Sequence, residues 1–436
     1  MFISSEKALL FSFFILLILA GTALLLIPAM WDGEGQIGIV DALFTSTSAV
    51  CVTGLITLDT AQFSIAGKLV VMFLIQVGGL GIISFSTIYL TQPKKKKSFH
   101  SVNIIRGYYL ESVSHDALKI LKNIILFTFL FEAAGALALF FFFKGPGERD
   151  LLTAVFHSIS AFCNAGFSLF SENLEGQKDN VPLMLSVMFL IFAGGIGFVV
   201  IDDIRRKLAK KKRLSIYTKL MLSSTFLLIF GGGLVYFILE RNNTLEGMPL
   251  GLKAVNALFQ SVTTRTAGFN TLAQDGLCEA SKFATLPLMF IGGGSGSIAG
   301  GIKVSTIAII LIALFRGRNK NNDIRIGNRN IRYNTILEAF ILAGKAIVLL
   351  AVCIFVLLII EGGKFPVINV VFECFSAFGT VGLSQGITSQ LSSAGKLVIV
   401  FTMFAGRVGI VSMALRGERS FRDTRTLYPE GEVLLG

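Results

Sequence analysis

The chain has 436 residues, 53% of them hydrophobic and 15% charged, with a net charge of +12. A chain this long and this apolar is a polytopic membrane protein rather than a soluble domain. The excess of Lys and Arg lies in loops between apolar runs, where membrane orientation accounts for it, so nucleic acid is not expected as a partner. The five cysteines, Cys51, Cys163, Cys278, Cys353 and Cys374, have no metal-ligand spacing, and the three histidines form no ligand cluster.

Runs able to cross a bilayer as helices fall at roughly 8–30, 67–90, 117–143, 182–202, 216–239, 283–315, 334–360 and 395–415. The first has no A-x-A cleavage site and reads as a span rather than a signal peptide. Between the members of each pair lies one copy of a repeat: ALFTSTSAVCVTGL at 42–55, AVFHSISAFCNAGF at 154–167, ALFQSVTTRTAGFN at 257–270 and VFECFSAFGTVGLS at 371–384. Each copy opens around a Phe (Phe44, Phe156, Phe259, Phe372) and closes on a Gly (Gly54, Gly166, Gly268, Gly382). A repeat with a period above one hundred residues marks four copies of a whole module. The repeat is too short to cross and is rich in Ser, Thr and Gly. It suits a half-helix that enters the membrane, turns on its glycine and leaves, which is tolerated at that depth when the backbone is buried in protein or lines water.

The fold expected is an all-α polytopic membrane protein. It has eight transmembrane helices and four re-entrant pore helices, in pseudo-fourfold symmetry around a central ion pore. The modules are 1–92, 93–204, 205–318 and 319–416, followed by a tail at 417–436. Basic residues follow every second span: Lys94–Lys97 and Arg106, the run from Arg205 to Arg213, Arg316 to Arg332, and Arg416 to Arg425. The opposite connections carry Asp32, Glu34, Asp59, Glu148, Asp150, Glu172, Glu175, Asp179, Asp275 and Glu279. By the positive-inside rule both termini are cytoplasmic and the four re-entrant loops enter from outside. Lys94–Lys97, the 205–213 run and Arg416–Arg425 are candidates for docking a cytosolic assembly, with lipid headgroups as the other reading.

The tripeptides ending at the glycines are Val52-Thr53-Gly54, Asn164-Ala165-Gly166, Thr266-Ala267-Gly268 and Thr380-Val381-Gly382. A glycine at the narrowest turn lets backbone carbonyls face inward, and a ring of carbonyls can replace the hydration shell of a dehydrated cation. No acid stands in these tripeptides, which argues against a divalent-cation filter built from carboxylates. Four glycines at matched positions favour an ion filter over the alternative that each only permits close helix packing.

With its span–pore-loop–span modules, single filter glycines and the segment GGGSGSIAGGIK, the chain resembles the Trk/Ktr/HKT superfamily of potassium transporters over nearly its whole length. The loop SVTTRTAGFNT and the tail TLYPEGEVLLG look most like the membrane subunit of bacterial Ktr systems, the KtrB type. The resemblance implies a homodimer with one pore per protomer, seated on a cytosolic nucleotide-binding RCK ring of the KtrA type. It also implies that all-glycine filters bind and favour K+, whereas some plant relatives with Ser in the first loop favour Na+; here Gly54 occupies that place.

Below each filter glycine lies a second motif: Gly78-Gly79-Leu80-Gly81, Gly194-Gly195-Ile196-Gly197, Gly293-Gly294-Ser295-Gly296 and Gly406-Arg407-Val408-Gly409. Arg407 thus stands where the other repeats have Gly, and a charge at bilayer depth faces water or a partner. Three glycines at its level leave room for its side chain. The third repeat breaks its helix here, and Gly292, Gly293, Gly294, Ser295, Gly296, Ser297, Gly300 and Gly301 form a loop across the pathway. The resemblance implies an intramembrane gating loop and a pore arginine at these places. The competing reading ties Arg407 to a structural acid such as Glu373, Glu338 or Glu132.

Other charges say less. Arg265 points behind the filter or toward the mouth, Lys303 snorkels to the cytoplasmic interface, Asp202 and Asp203 pair with nearby basic residues, and Glu132 and Lys345 have no assigned role. No G-x-x-x-x-G-K-[ST] motif or organic cofactor signature is present, and an inside-negative potential suffices to drive cations inward at about 2.3 kcal/mol per 100 mV. An intramembrane enzyme would need a nucleophile and base at depth, and His157 has no such partner arrangement. The function expected is K+ translocation across the cell (cytoplasmic or inner) membrane by a multi-pass subunit under cytosolic control. A Na+-coupled or Na+-conducting transporter on the same scaffold is the alternative.

Overall fold

The computed structural model describes residues 5–91, 117–145, 149–210, 213–315, 324–326 and 329–409. Its elements fall into four successive groups of a long helix, a short helix and a second helix. The first group is α1 (Ser5–Leu25), α2 (Ile39–Cys51) and α3 (Ile65–Thr91). The second is α4 (Ala117–Phe142), α5 (Leu151–Phe162), α6 (Val181–Gly195) and α7 (Phe198–Lys210). The third is α8 (Ile216–Glu240), α9 (Leu250–Thr263), α10 (Glu279–Phe290) and α11 (Val304–Phe315). Strands β1 (Ile324–Ile326) and β2 (Arg329–Ile331) precede the fourth group: α12 (Tyr333–Glu361), α13 (Val367–Gly379) and α14 (Ser393–Phe404), which runs into a π-helical turn at Ala405–Gly409.

Among the described residues four helices are long and apolar enough to cross a membrane: Ala8–Leu25, Leu121–Phe142, Ile216–Glu240 and Tyr333–Glu361. Each opens one group. Their outward faces expose large apolar side chains such as Leu16, Leu130, Leu227 and Phe355. Exposed apolar faces of that extent suit lipid rather than water. The short helices α2, α5, α9 and α13 have 12 to 14 residues. At 1.5 Å per residue they reach about 20 Å, short of the roughly 30 Å hydrocarbon core.

Helix starts follow from local chemistry. The Asp150 carboxylate accepts from the Leu152 and Thr153 N–H groups at the start of α5, and Ser215 and Ser392 cap α8 and α14 in the same way. In every group the end of the long helix is tied to the start of the second. Ser64 Oγ donates to the Ala29 carbonyl at 2.8 Å, and Asn180 Nδ2 to the Phe142 carbonyl at 2.8 Å. Glu240 accepts from the Cys278 N–H at 3.0 Å, and Glu361 accepts from the Ser392 N–H at 3.0 Å and its hydroxyl at 2.7 Å. Each second helix also packs on the short helix of the next group: α3 on α5, α6 on α9, α10 on α13, and α14 back on α2. The last contact closes the circle and carries an ion pair, Lys396 to Asp41 at 2.7 Å.

Three expectations are corrected. The run at 182–202 is not one straight helix: α6 ends at Gly195 and α7 leaves at 99° to it. The break occurs because the Phe198 N–H is taken by the Gly296 carbonyl at 3.2 Å instead of by its own helix, with Gly197 at φ +93°. The third group is therefore not the only one with an interrupted second helix, although its break is longer, from Phe290 to Val304. The fold is also not purely helical, since β1 and β2 form an antiparallel pair with Arg325 opposite Asn330. Lys94–Lys97, Arg106, Glu148, Lys211, Lys212, Arg316, Arg318, Lys320, Arg416–Arg425, the tail at 417–436 and the end of the 395–415 run lie outside the described residues.

Removing the Glu361 carboxylate leaves the Ser392 N–H without its acceptor at a helix start. Glu361→Ala should cost about 1–3 kcal/mol, read as a lower melting temperature of the purified protein in detergent.

Candidate functional site

The four short helices end, at their C-termini, on the four tripeptides. The first tripeptide residue is left-handed in every copy: Val52 at φ +57°, Asn164 at +58°, Thr266 at +68° and Thr380 at +50°. The closing glycines are also left-handed, Gly54 at +90°, Gly166 at +70°, Gly268 at +78° and Gly382 at +94°. The glycines meet in a ring. A Cβ on Gly54 would strike the Ala165 carbonyl, one on Gly166 the Ala267 carbonyl, one on Gly268 the Val381 carbonyl and one on Gly382 the Thr53 carbonyl. Each glycine thus lies against the middle carbonyl of the next copy, and the fourth returns to the first. All twelve tripeptide residues are brought to this ring, eleven of them buried and Gly382 half-buried.

A hydroxyl behind each tripeptide holds the turn. Ser48 Oγ accepts from the Gly54 N–H and Ser376 Oγ from the Gly382 N–H, both at 3.1 Å. Ser160 Oγ donates to the Phe167 carbonyl at 2.7 Å, and Thr263 Oγ1 donates to the Phe269 carbonyl. The middle residues are tied to the same helix turns, Thr53 N–H to the Ser48 carbonyl at 2.8 Å and Val381 N–H to the Ser376 carbonyl at 2.8 Å. Sequence reasoning missed these hydroxyls. The signal was present: a Ser or Thr stands six positions before the glycine in three copies and five before it in the third.

On one side the ring opens into a cavity of about 330 Å³, lined by Gly54, Gly166 and Gly382 and by the acids Glu172, Glu175 and Asp275. Among the described residues no Lys or Arg lines it. Partial burial raises the Glu175 carboxyl above its usual range, and the neighbouring Glu172 adds to the effect against a hydrogen bond from Asn270.

On the other side lies the loop at 292–301. Its neck is pinched by pairing of Ile291 with Ile302, with the Gly292 N–H on the Ile302 carbonyl at 2.8 Å. Its body hangs from the break in the second group: the Gly294 N–H meets the Gly195 carbonyl at 2.8 Å, and Tyr217 donates to the Ser295 carbonyl at 3.1 Å. Ser297 Oγ closes a turn onto the Gly294 carbonyl at 2.7 Å, and Ser295 meets Ser305 at 3.1 Å. Gly292 lies against the Gly300 carbonyl, Gly293 against Ala299, and Gly301 against the Phe290 carbonyl. Gly300 lies against the Thr380 side chain, which puts the loop directly beneath the ring.

Arg407, 2% exposed, reaches this loop. One guanidinium NH2 donates to the Ile298 carbonyl and the other to the Gly78 carbonyl at 3.1 Å, while Nε has no partner among the described residues. It makes no ion pair among the described residues. Glu132 is engaged by Gln76 at 3.2 Å, Glu373 by Ser384, Gln385 and Thr388, and Glu338 is exposed. The motif glycines do more than leave room for it. Gly78, Gly194 and Gly406 press their helices onto the Val50, Phe162 and Phe378 carbonyls, where a Cβ would not fit.

The remaining charges have ordinary partners, except the buried Arg265, whose Nε has none among the described residues. Lys303 turns back onto the Ala299 carbonyl at 2.5 Å rather than running free to an interface. Arg265 points behind the ring, donating to Thr225 at 3.5 Å beside Gly195 and Gly293. Asp202 pairs with Arg205 at 3.2 Å and Arg206 at 2.7 Å, and Asp203 accepts from the Ser215 N–H at 2.9 Å.

A family model described as TrkH, cation transport protein, matches residues 5–420. The chain is 38% identical to the potassium/sodium uptake protein NtpJ of Enterococcus hirae, over 97% of this chain and 95% of that one. It is 37% identical to the Ktr system potassium uptake protein B of Bacillus subtilis, with the same coverages, and 34% identical to that of Vibrio alginolyticus, over 96% and 92%. The crystal structure of the potassium transporter TrkH from Vibrio parahaemolyticus superposes with a TM-score of 0.76 over 94% of this chain and 84% of that one, at 19% identity, and so shares the fold. A match over nearly the full length, together with the apolar helices, makes this chain a multi-pass membrane cation transporter of the TrkH family, not an enzyme.

Proposed function

We propose that the chain is the K+-translocating subunit of a Ktr/Trk-type uptake system, with the four tripeptides as its selectivity filter. The observation that carries this is the closed ring of glycines, each set against a carbonyl of the next copy. Such a ring offers carbonyl oxygens from four sides and no side chain on its axis, the requirement for stripping the hydration shell from a monovalent cation. The four short helices point their C-termini at it, and each contributes about half an elementary charge of negative end-dipole. The acidic mouth at Glu172, Glu175 and Asp275 raises the local cation concentration in front of it. In this reading the four groups are span–pore-loop–span modules, eight spans in all, bounded near residues 92, 204, 318 and 416. Both termini are cytoplasmic.

The loop at 292–301 and Arg407 form the gate. The guanidinium repels cations and bonds to a loop carbonyl, which favours the closed arrangement. Relatives named as Ktr system proteins support a system with a separate regulatory component. We assign that role to a cytosolic nucleotide-binding RCK subunit beneath a homodimer, acting through the helix that starts at Val304. A second reading, coupled or parallel Na+ transport, is favoured by the 38% identity to a protein named for potassium and sodium uptake. Uptake of K+, Rb+ and Na+ by liposomes holding the purified protein separates the two.

Gly54→Ser should reduce the preference for K+ over Na+ several-fold in such liposomes, since the new side chain falls on the Ala165 carbonyl. An unchanged ratio in folded protein would remove Gly54 from the filter. Arg407→Ala, or deletion within 294–300, should raise K+ flux several-fold and loosen its dependence on the cytosolic subunit, with little change in selectivity. If both variants reach the membrane and conduct no faster than the parent, the loop is not the gate.

A further inference from the structure

The residue directly after the Phe of each short helix has no part in the reading above. It is Thr45, His157, Gln260 and Glu373 in the four copies. All four are buried. Three of them reach past the ring and hold the segment that leaves it. His157 Nδ1 faces the Thr153 carbonyl at 2.8 Å, which fixes the proton there and leaves Nε2 to accept from the Ser168 hydroxyl at 2.9 Å. Gln260 and Gln274 form a reciprocal amide pair at 2.7 and 3.1 Å. Glu373 takes the Ser384 hydroxyl and the Gln385 N–H (3.1 Å) on Oε1, and the Thr388 hydroxyl (2.9 Å) on Oε2. The Thr45 hydroxyl has no partner among the described residues.

We propose that this position is a strut that sets the geometry of the filter on its mouth side, and that Glu373 is its dominant member, a positioning residue for ion selectivity. The proposal rests on the filter reading. Ser384 stands two residues after Gly382, and Leu383, Ser384 and Thr388 line the wall of the mouth cavity. Discrimination between K+ and Na+ requires that the carbonyl ring not contract onto the smaller ion, whether by fixed size or by fixed field strength. A strand with three of its groups bound to one carboxylate resists that contraction. Three hydrogen bonds that converge on one buried side chain constrain the segment as a unit. Glutamine keeps the volume but offers one oxygen: with the Ser384 hydroxyl and the Gln385 N–H on that oxygen, its NH2 can meet Thr388 only if that hydroxyl turns from donor to acceptor. From this position the fourth copy therefore makes three bonds to the segment after its glycine, the third two and the second one, while Thr45 of the first makes none among the described residues.

The test compares Rb+ and Na+ uptake by liposomes holding the full chain as parent, Glu373→Gln, Ser384→Ala with Thr388→Val, and all three changes together. Glu373→Gln and the double variant should each lower the Rb+:Na+ ratio about fivefold, and the triple variant should fall no further, because one coupled unit has been removed. Glu361→Gln, which alters a carboxylate at a helix start away from the ring, should lower the melting temperature and leave the ratio unchanged. Gly54→Ser serves as the reference for the filter itself. If Gly54→Ser lowers the ratio and Glu373→Gln does not, the strut is refuted and the filter stands; if neither does, both fall. If Glu373→Gln acts but the double variant does not, or their effects multiply in the triple variant, Glu373 works through its charge and the positioning role is overturned. Should Glu373→Gln fail to fold, the double variant, which keeps the carboxylate, decides: an unchanged ratio there refutes the proposal.

Discussion

The structure depends on one close approach, the contact of each tripeptide glycine with a carbonyl of the next copy. Backbones can meet this closely only where no Cβ intervenes, so four glycines are needed at one level. Meeting there also obliges each short helix to end abruptly, in a left-handed residue that is Val, Asn or Thr rather than glycine. Such residues adopt that conformation at a cost, and the surroundings must over-determine it. They do: the N–H of each middle residue is bonded to the preceding helix turn, and a Ser or Thr hydroxyl braces the far side. The helices behind are seated by a second set of glycines on the carbonyls of Val50, Phe162 and Phe378. The ring is thus rigid because each supporting layer is itself supported, which is what a site with sub-ångström requirements needs.

The loop beneath is built differently. It has no helix, and it is held by single hydrogen bonds, among them those to the Gly194 and Gly195 carbonyls, the Phe198 N–H, Tyr217, Ser305 and Arg407. Arg407 gives up hydration for two carbonyls, and among the described residues its Nε is unpaired and it makes no ion pair. A buried ion pair would be hard to break, whereas a guanidinium held by carbonyls is compensated only in part. On the proposed reading that is the energetic condition for a gate: a closed state stable enough to hold, yet close enough in free energy for a partner to shift.

Much of this was legible because a fourfold repeat tests its own alignment. The Phe and Gly positions, the second glycine motif and the odd Arg407 stand out when the copies are compared, and Arg407 lies against the Ile298 carbonyl of the glycine loop. The bend at Ile196-Gly197 was not legible. The first copy has nearly the same glycines at Gly78-Gly79-Leu80-Gly81, yet α3 continues through them. What differs is a tertiary contact, the Gly296 carbonyl offered to the Phe198 N–H, and no local propensity encodes it. The left-handed Val52 was hidden for a related reason, since a β-branched residue argues locally against that conformation. The braces at Ser48, Ser160, Thr263 and Ser376 were visible as a pattern but ordinary as residues in a Ser- and Thr-rich segment.

Fourfold likeness at the ring gives way to difference one layer below, and the difference has a physical basis. At the level of the second motif one copy continues as a helix, one bends, one opens into a loop and one presents a guanidinium. Four arginines would repel one another and bar cations permanently, and four loops would leave nothing rigid to hang from. With one of each, the bent helix supplies the Gly194 and Gly195 carbonyls that hold the loop, the straight helix supplies the Gly78 carbonyl that holds the arginine, and the arginine joins both through Ile298. A single chain with four diverged copies can divide the work in this way. A ring of four identical subunits could not, because every substitution there would appear four times.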